Sequence, residues 1–437
     1  MICFLLDIFY TIILVLLSPW VLYRMFLQSR YRTGWKERFG FVPVRNSSAK
    51  CIWIHAVSMG EINAIATLVA SLQNRLPDHE IVISSTTDTG MDRARKLYGD
   101  KHLVFFYPWD FSWAVKKAFS RLRPSLCVLM ELEVWHNFTT IAHHRSIPVM
   151  VANGRISSGK GFPRYRRIAG LVQPMFRRLT LVLTQDNTYA QRFRFLGADP
   201  QRVHVVGSLK YDTAEVVDKV PGTDELIEQL KLFPPQPVWV AGSTAPGEEE
   251  IILEAFSKLR REKSLNKLRL VLVPRKPERF DEVARLIENH NFKLLRYSKV
   301  KTGQYQPTPD DADAVILGDT MGDLRKFYSL AEVVFVGRSL VPVGGSDMIE
   351  AAALAKPVVV GPYTDNFTES VRLLVTAAGL EVVADGSQLT RITQNLLQDK
   401  KVAAQLGKNA QQVIIQNQGA TEKTVNQIIT LLKNPSP

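Results

Sequence analysis

Short apolar runs alternate with amphipathic stretches along most of this chain. Residues 51–54, 81–85, 103–106, 126–130, 149–152, 181–184 and 203–206 read as strands in the first half. In the second half 238–241, 268–273, 314–317, 333–336 and 357–360 do the same. Most of these runs are continuously apolar, the pattern of parallel strands buried on both faces. Helical periodicity fills the gaps; Ile62, Ile65, Ala66, Val69, Leu72 and Leu76 mark one such helix behind the first strand. The alternation predicts two Rossmann-like, doubly wound α/β domains facing a cleft. The stretch 212–237, with Pro221-Gly222 and Pro234-Pro235, is the expected boundary. The tail 389–433 reads as mainly helical, with breaks at Gly407 and Gly419. The resulting division is an anchor at 1–28, a first domain at 29–215, a linker at 216–235 and a second domain at 236–437.

The N-terminus departs from this alternation. Residues 1–23 are almost wholly apolar, interrupted only by Asp7 and Pro19, and Arg24, Arg30, Arg32, Lys36 and Arg38 follow. A span needs about 20 apolar residues, which this run just supplies. It has no basic leader and no small-residue cleavage site, so a removed signal fits poorly. Basic residues on its C-terminal side keep the body of the protein in the cytoplasm, whether the helix spans the bilayer or lies in its interface. A second stretch mixes Lys160, Arg164, Arg166, Arg167, Arg177 and Arg178 with Phe162, Tyr165, Met175 and Phe176. Such mixing suits anionic lipid head groups, and it also describes an ordinary helix with a solvated basic face.

Composition narrows the choices. A chain of 437 residues exceeds one ordinary core, and a net charge of +13 points to a polyanionic partner. No nucleic-acid-binding module stands out, so an anionic lipid is the favoured partner. Cys3, Cys51 and Cys127 offer neither a disulfide framework nor metal-ligand spacing, which fits a reducing compartment. Neither half holds G-x-G-x-x-G or a P-loop, so dehydrogenase and kinase readings lose support. No metal and no cofactor are expected.

Candidate chemistry gathers behind strands. His55-Ala56-Val57-Ser58-Met59-Gly60-Glu61 joins the first strand to a helix, and Glu61 projects where open α/β sheets bind ligands. The same Ser58-x-x-Glu61 spacing is a capping box, a purely structural device. In the second half, Ser243 and Thr244 follow a strand and precede a helix, a place where hydroxyls and free N–H groups can receive phosphate or simply cap. Arg275 lies just past another strand end. Gly344-Gly345-Ser346-Asp347 leads into a helical run at 348–354, and Glu350 is placed to accept from both hydroxyls of a ribose.

These pieces, taken in order, resemble the 3-deoxy-D-manno-octulosonic acid (Kdo) transferases, from the N-terminal anchor to about Phe367. The resemblance rests on the His55 to Glu61 motif, Asn153-Gly154-Arg155-Ile156-Ser157, Gly207-Ser208-Leu209-Lys210-Tyr211-Asp212 and Leu317-Gly318-Asp319-Thr320-Met321-Gly322-Asp323-Leu324. Ser339-Leu340-Val341-Pro342 and Gly361-Pro362 with Asn366-Phe367 complete it. It implies a GT-B fold with an acceptor-binding first domain and a nucleotide-sugar-binding second one. It also implies a CMP-Kdo donor, a phosphorylated lipid A precursor of the lipid IVA type at the cytoplasmic face of the inner membrane, and inverting, metal-independent transfer. Glu61 falls on the family's general base. Glu131 and Glu133 fall on its second carboxylate motif, although the threonine and proline of that motif are replaced here. Arg275, the Met321-Gly322 turn and Glu350 fall on nucleotide contacts, and Ser243, Thr244 and 344–347 on the phosphate region. Arg155 and Lys210 are candidates for the carboxylate of the donor sugar. Arg164, Arg166, Arg167, Arg177 and Arg178 would form the acceptor and membrane patch.

Three departures stand out. The family's Gly-Gly-His-Asn is Gly344-Gly345-Ser346-Asp347 here, where Asp347 would repel a phosphate unless it turns to cap the helix. Pro-Arg-His is Pro274-Arg275-Lys276, and Gly-Gly-Ser is Gly337-Arg338-Ser339. Two alternatives stay open at this point: a membrane-associated GT-B enzyme using another nucleotide sugar, and a non-catalytic lipid-binding protein on the same scaffold.

Overall fold

The structure, a computed structural model, describes residues 2–27, 33–157, 159, 161–232 and 236–433. Arg30, Arg32, Lys160 and Pro234-Pro235 lie outside the described residues. The chain divides into two units, Met1–Thr213 with Gln418–Pro437, and Ala214–Asn417.

The first unit is built on β1 (Lys50–His55), β2 (His79–Ser85), β3 (Leu103–Phe106), β4 (Leu126–Met130), β5 (Val149–Gly154), β6 (Leu181–Thr184) and β7 (Val203–Val205). They form one parallel sheet in the order β3-β2-β1-β4-β5-β6-β7. The order reverses between β1 and β4, whose carboxyl ends lie side by side with His55 opposite Leu129. Such a switch point leaves a crevice beyond the strand ends. Helices cover both faces, so central residues such as Ile54 and Val128 are completely buried. Trp53 anchors one face against Phe105, Phe119 and Phe138, and its indole N–H donates to Ser84 Oγ at 2.8 Å.

The second unit repeats the plan with β8 (Val238–Thr244), β9 (Arg269–Pro274), β10 (Leu294–Arg296), β11 (Val315–Leu317), β12 (Val333–Val336), β13 (Val358–Val360) and β14 (Glu381–Val382). The order is β10-β11-β9-β8-β12-β13-β14, again all parallel, with the switch between β8 and β12. The apolar runs mark twelve of these strands to within three residues at each end. They miss β10 and β14, which are edge strands of three and two residues. Each includes a charged residue, Arg296 or Glu381, and so shows no continuous apolar run, unlike the similarly short β11 and β13.

Three boundaries differ from the sequence reading. The presumed linker 216–235 contains the helix Thr223–Gln229, whose Thr223 hydroxyl pairs with Ser329 Oγ at 2.7 Å, so it belongs to the second unit. The last helix, Ala420–Lys433, returns to the first unit and buries Val425 and Ile428 with Leu68 and Leu72. Asp212 fastens that return by accepting the N–H groups of Gly419 and Thr421. Gly407 is not a break but lies inside the helix Lys400–Asn417. A Cβ there would stand 1.9 Å from the carbonyl of Ala355, so glycine sets how closely the helix approaches.

The N-terminal helix Ile2–Leu27 has no fully buried residue, yet one face is tied to the first unit. Asp7 accepts the Ser112 N–H (2.7 Å), its hydroxyl (2.5 Å) and Asn137 Nδ2 (3.2 Å). The polar residue that interrupts the apolar run is therefore a fastening point, answering the free end of the helix Ser112–Leu122.

Gly407→Ala is expected to destabilise the second unit by about 1–3 kcal/mol, the usual cost of overpacking, read as a lower thermal midpoint.

Candidate active site

Three sequence-predicted carboxylates meet at the first switch point. Glu61 opens the helix Met59–Ala64 directly behind β1, while Glu131 and Glu133 follow β4. Ser58 caps that helix by accepting the Glu61 N–H at 3.4 Å, and its hydroxyl donates to Glu61 Oε1 at 3.1 Å. Glu61 Oε2 reaches back to the N–H of Val57 at 3.0 Å. The cap and the candidate base are thus one arrangement: the cap aims the carboxylate. Glu131 takes a left-handed backbone, φ 53°, on leaving its strand, an uncommon conformation for a non-glycine residue.

Electrostatics push two of these carboxylates apart. Burial, together with the charge of Glu131, raises the Glu61 carboxyl from an ordinary 4.5 to about 7, although its hydrogen bonds from Val57 and Ser58 oppose the rise. Burial also works against the charge on Glu133. There His55, whose Nε2 lies 3.9 Å from Oε2, and the Trp135 indole N–H at 3.0 Å outweigh it and hold that carboxyl below the ordinary range. His55 is itself fixed, stacked on Tyr107 at 3.7 Å with Nδ1 3.0 Å from Ser84 Oγ. Two neighbouring carboxyls with opposed shifts form an acid–base pair in the making. His55 stood inside the His55 to Glu61 motif, but only the fold reveals Tyr107, Ser84 and Glu133 as its company.

The cationic candidates of this unit fall into two groups. Arg155 follows β5, and Lys210 lies in the helix Leu209–Asp212; both flank one junction, where Asn153 Oδ1 accepts the Leu209 N–H at 3.1 Å. Arg164, Arg166, Arg167 and Arg177 are exposed on the helices Gly161–Arg167 and Ala169–Arg177. Arg178 differs: it is half-buried, and burial lowers its pKa. Tyr165 connects this basic segment to the carboxylates, since its hydroxyl pKa is raised by burial and by Glu133.

In the second unit the structure redistributes the expected phosphate contacts. Glu248 is fully buried and accepts the N–H groups of Ala245 (2.9 Å), Arg338 (2.6 Å), Ser339 (2.8 Å) and Leu340 (2.8 Å). The protein's own carboxylate occupies a nest suited to an anion. Thr244 is committed too, donating to Glu249 Oε1 at 2.7 Å, and Arg279 Nη1 meets the same oxygen at 2.6 Å. A phosphate at the start of the helix Glu248–Arg260 would face two buried carboxylates, so Thr244 and that helix end are poor phosphate ligands. No single-sequence signal separates Glu248 and Glu249 from ordinary first-turn glutamates.

The remaining candidates converge. The Arg275 N–H donates to the Thr244 carbonyl at 3.1 Å, and the Ser346 hydroxyl to the Ser243 carbonyl at 3.4 Å. Gly344 and Gly345 both have left-handed backbones, φ 91° and 82°. A Cβ on Gly344 would stand 2.3 Å from Asn366 Nδ2, so this turn needs glycine. The helix behind it is short, Ile349–Ala353, and Asp347 Oδ1 accepts the Ile349 N–H at 2.9 Å. Asp347 thus takes the capping alternative. Burial and the Asp347 charge raise the Glu350 carboxyl, with Arg325 and Arg275 opposing. Met321 and Gly322 form an exposed apex held from below. Asp319 accepts from Arg296 and from Ser298, and Asp323 from Lys301, Thr320 and Lys326.

Known proteins share this arrangement. Residues 33–213 match the family described as 3-deoxy-D-manno-octulosonic-acid transferase (kdotransferase). A 3-deoxy-D-manno-octulosonic acid transferase of Haemophilus influenzae is 34% identical over 96% of this chain and 97% of its own. One of Bordetella pertussis is 30% identical over 95% of this chain and 97% of its own. A glycosyltransferase of Rickettsia africae shares the fold over 89% of this chain and 100% of its own, at 13% identity and a TM-score of 0.59. Two all-parallel α/β units give the chain the GT-B fold. Within that fold class the chain belongs to the Kdo transferases of lipopolysaccharide biosynthesis.

Glu248→Ala is expected to cost at least about 3 kcal/mol, because buried N–H groups lose their acceptor at about 1–3 kcal/mol each. Denaturant unfolding checks this, and Glu248→Gln should recover part of the loss.

Proposed function

We propose that the protein transfers Kdo from CMP-Kdo to a phosphorylated lipid A precursor of the lipid IVA type. The transfer inverts the anomeric centre and needs no metal. One observation carries the reading: Glu61, at the first switch point, has its carboxyl raised to about 7 beside a Glu133 held low. A base of that strength is matched to neutral pH.

The acceptor hydroxyl gives its proton to the Glu61 carboxylate as its oxygen bonds to the anomeric carbon. The bond from that carbon to the CMP phosphate oxygen breaks on the opposite face, and CMP leaves with the electron pair. Arg275 and the Gly344-Gly345-Ser346 turn meet the leaving phosphate. Glu350 accepts from the ribose, and the Met321-Gly322 apex borders the base. Ser243 contributes through its backbone more than its hydroxyl. Arg155 and Lys210 face the donor's own carboxylate, and Arg164, Arg166, Arg167, Arg177 and Arg178 the acceptor phosphates.

The apolar N-terminal helix supports a site of action at the cytoplasmic face of the inner membrane. It is 26 residues long with a mean hydropathy of 2.3 in its most apolar window. The ties of Asp7 to Ser112 and Asn137 support a helix lying along the interface rather than crossing it.

Glu61→Gln is expected to lower kcat by about 10²–10⁴-fold in a CMP-release assay with CMP-Kdo and lipid IVA. Turnover near that of the unaltered protein would sink the base assignment. The kcat/KM of the unaltered protein should rise with pH through about 7, and Glu131→Gln should move that limb to lower pH by removing a charge that raises Glu61. Stability responds in the opposite sense. Folded Glu61 holds its proton more tightly than the unfolded chain, so its contribution is complete below 4.5 and is lost as pH rises through about 7. Glu61→Gln should therefore melt no lower than the unaltered protein at pH 8.

A further inference from the structure

A groove of about 890 Å³ runs along one face of the N-terminal helix. The helix supplies Tyr10, Ile13, Leu14, Leu17 and Val21, a stripe at helical spacing. The facing wall comes from segments behind β2 and β3, with Thr87, Trp109 and Phe111 prominent. Glu133 and Trp135, of the carboxylate site, also line the groove. Away from the groove the helix exposes apolar residues; Leu16 is 73% exposed and Phe4 67%.

The helix does not rest there by apolar contact alone. Asp7 is tied to Ser112 and Asn137, and the Tyr10 hydroxyl lies 3.4 Å from Asp110 Oδ2. Asp110 spends its carboxylate on the N–H groups of Asn137 and Phe138, the start of the helix behind β4. The anchor is thus pinned to the elements that carry Glu133. Aromatic rings continue the same side: Trp35 and Phe39 meet Trp109 edge-on, and Phe39 stacks on the exposed Trp113 at 5.7 Å. A belt of this kind sits where apolar chains give way to polar head groups.

We propose that the groove seats an acyl chain of the lipid acceptor, with the anchor helix as one wall of the binding site. This rests on the reading of the acceptor given above. Apolar where the helix lines it and lined as well by Glu133 of the carboxylate site, the groove matches a ligand that joins a sugar to a hydrocarbon chain. Its continuity with the membrane-facing helix lets the chain enter without leaving an apolar medium. The anchor then selects the acceptor as well as holding the enzyme at the surface.

The full-length protein, in vesicles of phosphatidylethanolamine and phosphatidylglycerol, is irradiated with a lipid A precursor bearing a diazirine at an acyl-chain end. A phosphatidylethanolamine bearing the same group is the parallel arm. Labelling at Ile13, Leu17 or Trp109 by the first probe and not the second is expected. Equal labelling by both makes the groove a crevice for bulk lipid and overturns the proposal, as does labelling confined to outward residues such as Leu16. Leu14→Trp should raise KM for the acylated acceptor about tenfold, the worth of roughly two buried methylenes, with kcat and vesicle binding little changed. An unchanged KM overturns the groove. Absence of Kdo transfer to any acceptor overturns the functional reading instead, and the labelling pattern decides the groove independently of it.

Discussion

Backbone N–H groups at helix starts and in the loops behind parallel strands must find an acceptor, and in this chain carboxylates supply many of them. Asp110 serves Asn137 and Phe138, Asp212 serves Gly419 and Thr421, Asp319 serves Ser298, and Glu248 serves Ala245 behind β8 and three residues behind β12. Bonds to an ionised acceptor are roughly twice as strong as neutral ones, so each fixes its loop firmly. The anchor obeys the same rule through Asp7 and Ser112. Among the described residues Asp110, Glu248 and Asp319 are buried while serving in this way, within a chain whose 55 Lys and Arg already outnumber its 42 Asp and Glu.

The same device has opposite electrostatic results, depending on what surrounds it. Asp323 is served by Lys301, Thr320 and Lys326, and these overcome burial to hold it low. Asp110 is raised to about 7 by burial despite its backbone donors. A raised carboxyl alone therefore does not mark a base. Asp110 is buried and spends its oxygens on N–H groups at the start of a helix, whereas Glu61, also bonded through both oxygens, is only partly buried and lies at a switch point beside two further carboxylates. Geometry distinguishes a structural carboxyl from a reactive one where titration does not.

Much of this could be read from the chain because parallel sheets write themselves as apolar runs. The strands, the two-fold repetition and the position of Glu61 behind β1 follow from that pattern. What stayed hidden depends on distant contacts. Nothing local tells that Ala420–Lys433 crosses back to the first unit, since its apolar stripe would suit either sheet. Nothing local separates Thr244, whose hydroxyl is bound to Glu249, from a free phosphate ligand. Asp7 looked like a flaw in an apolar helix because its partners lie 105 and 130 residues away.

The departures from the family pattern acquire a physical reading in the loop behind β12. Arg338 occupies a left-handed backbone, φ 61°, where the family pattern has glycine, a conformation costing a side chain about 1–2 kcal/mol. Its guanidinium offsets that strain by donating to the carbonyls of Val343 (3.1 Å) and Gly345 (3.4 Å), which closes the loop on itself. Asp347 turns its carboxylate onto the Ile349 N–H instead of into the turn. The loop has gained one cation and one anion, leaving its formal charge unchanged. Both new groups bond within the loop, so the turn is braced by side chains where glycine left it to the backbone. The substitutions therefore alter how the loop behind β12 is held and leave Arg275 and Glu350 themselves unchanged, which is compatible with the proposed CMP donor.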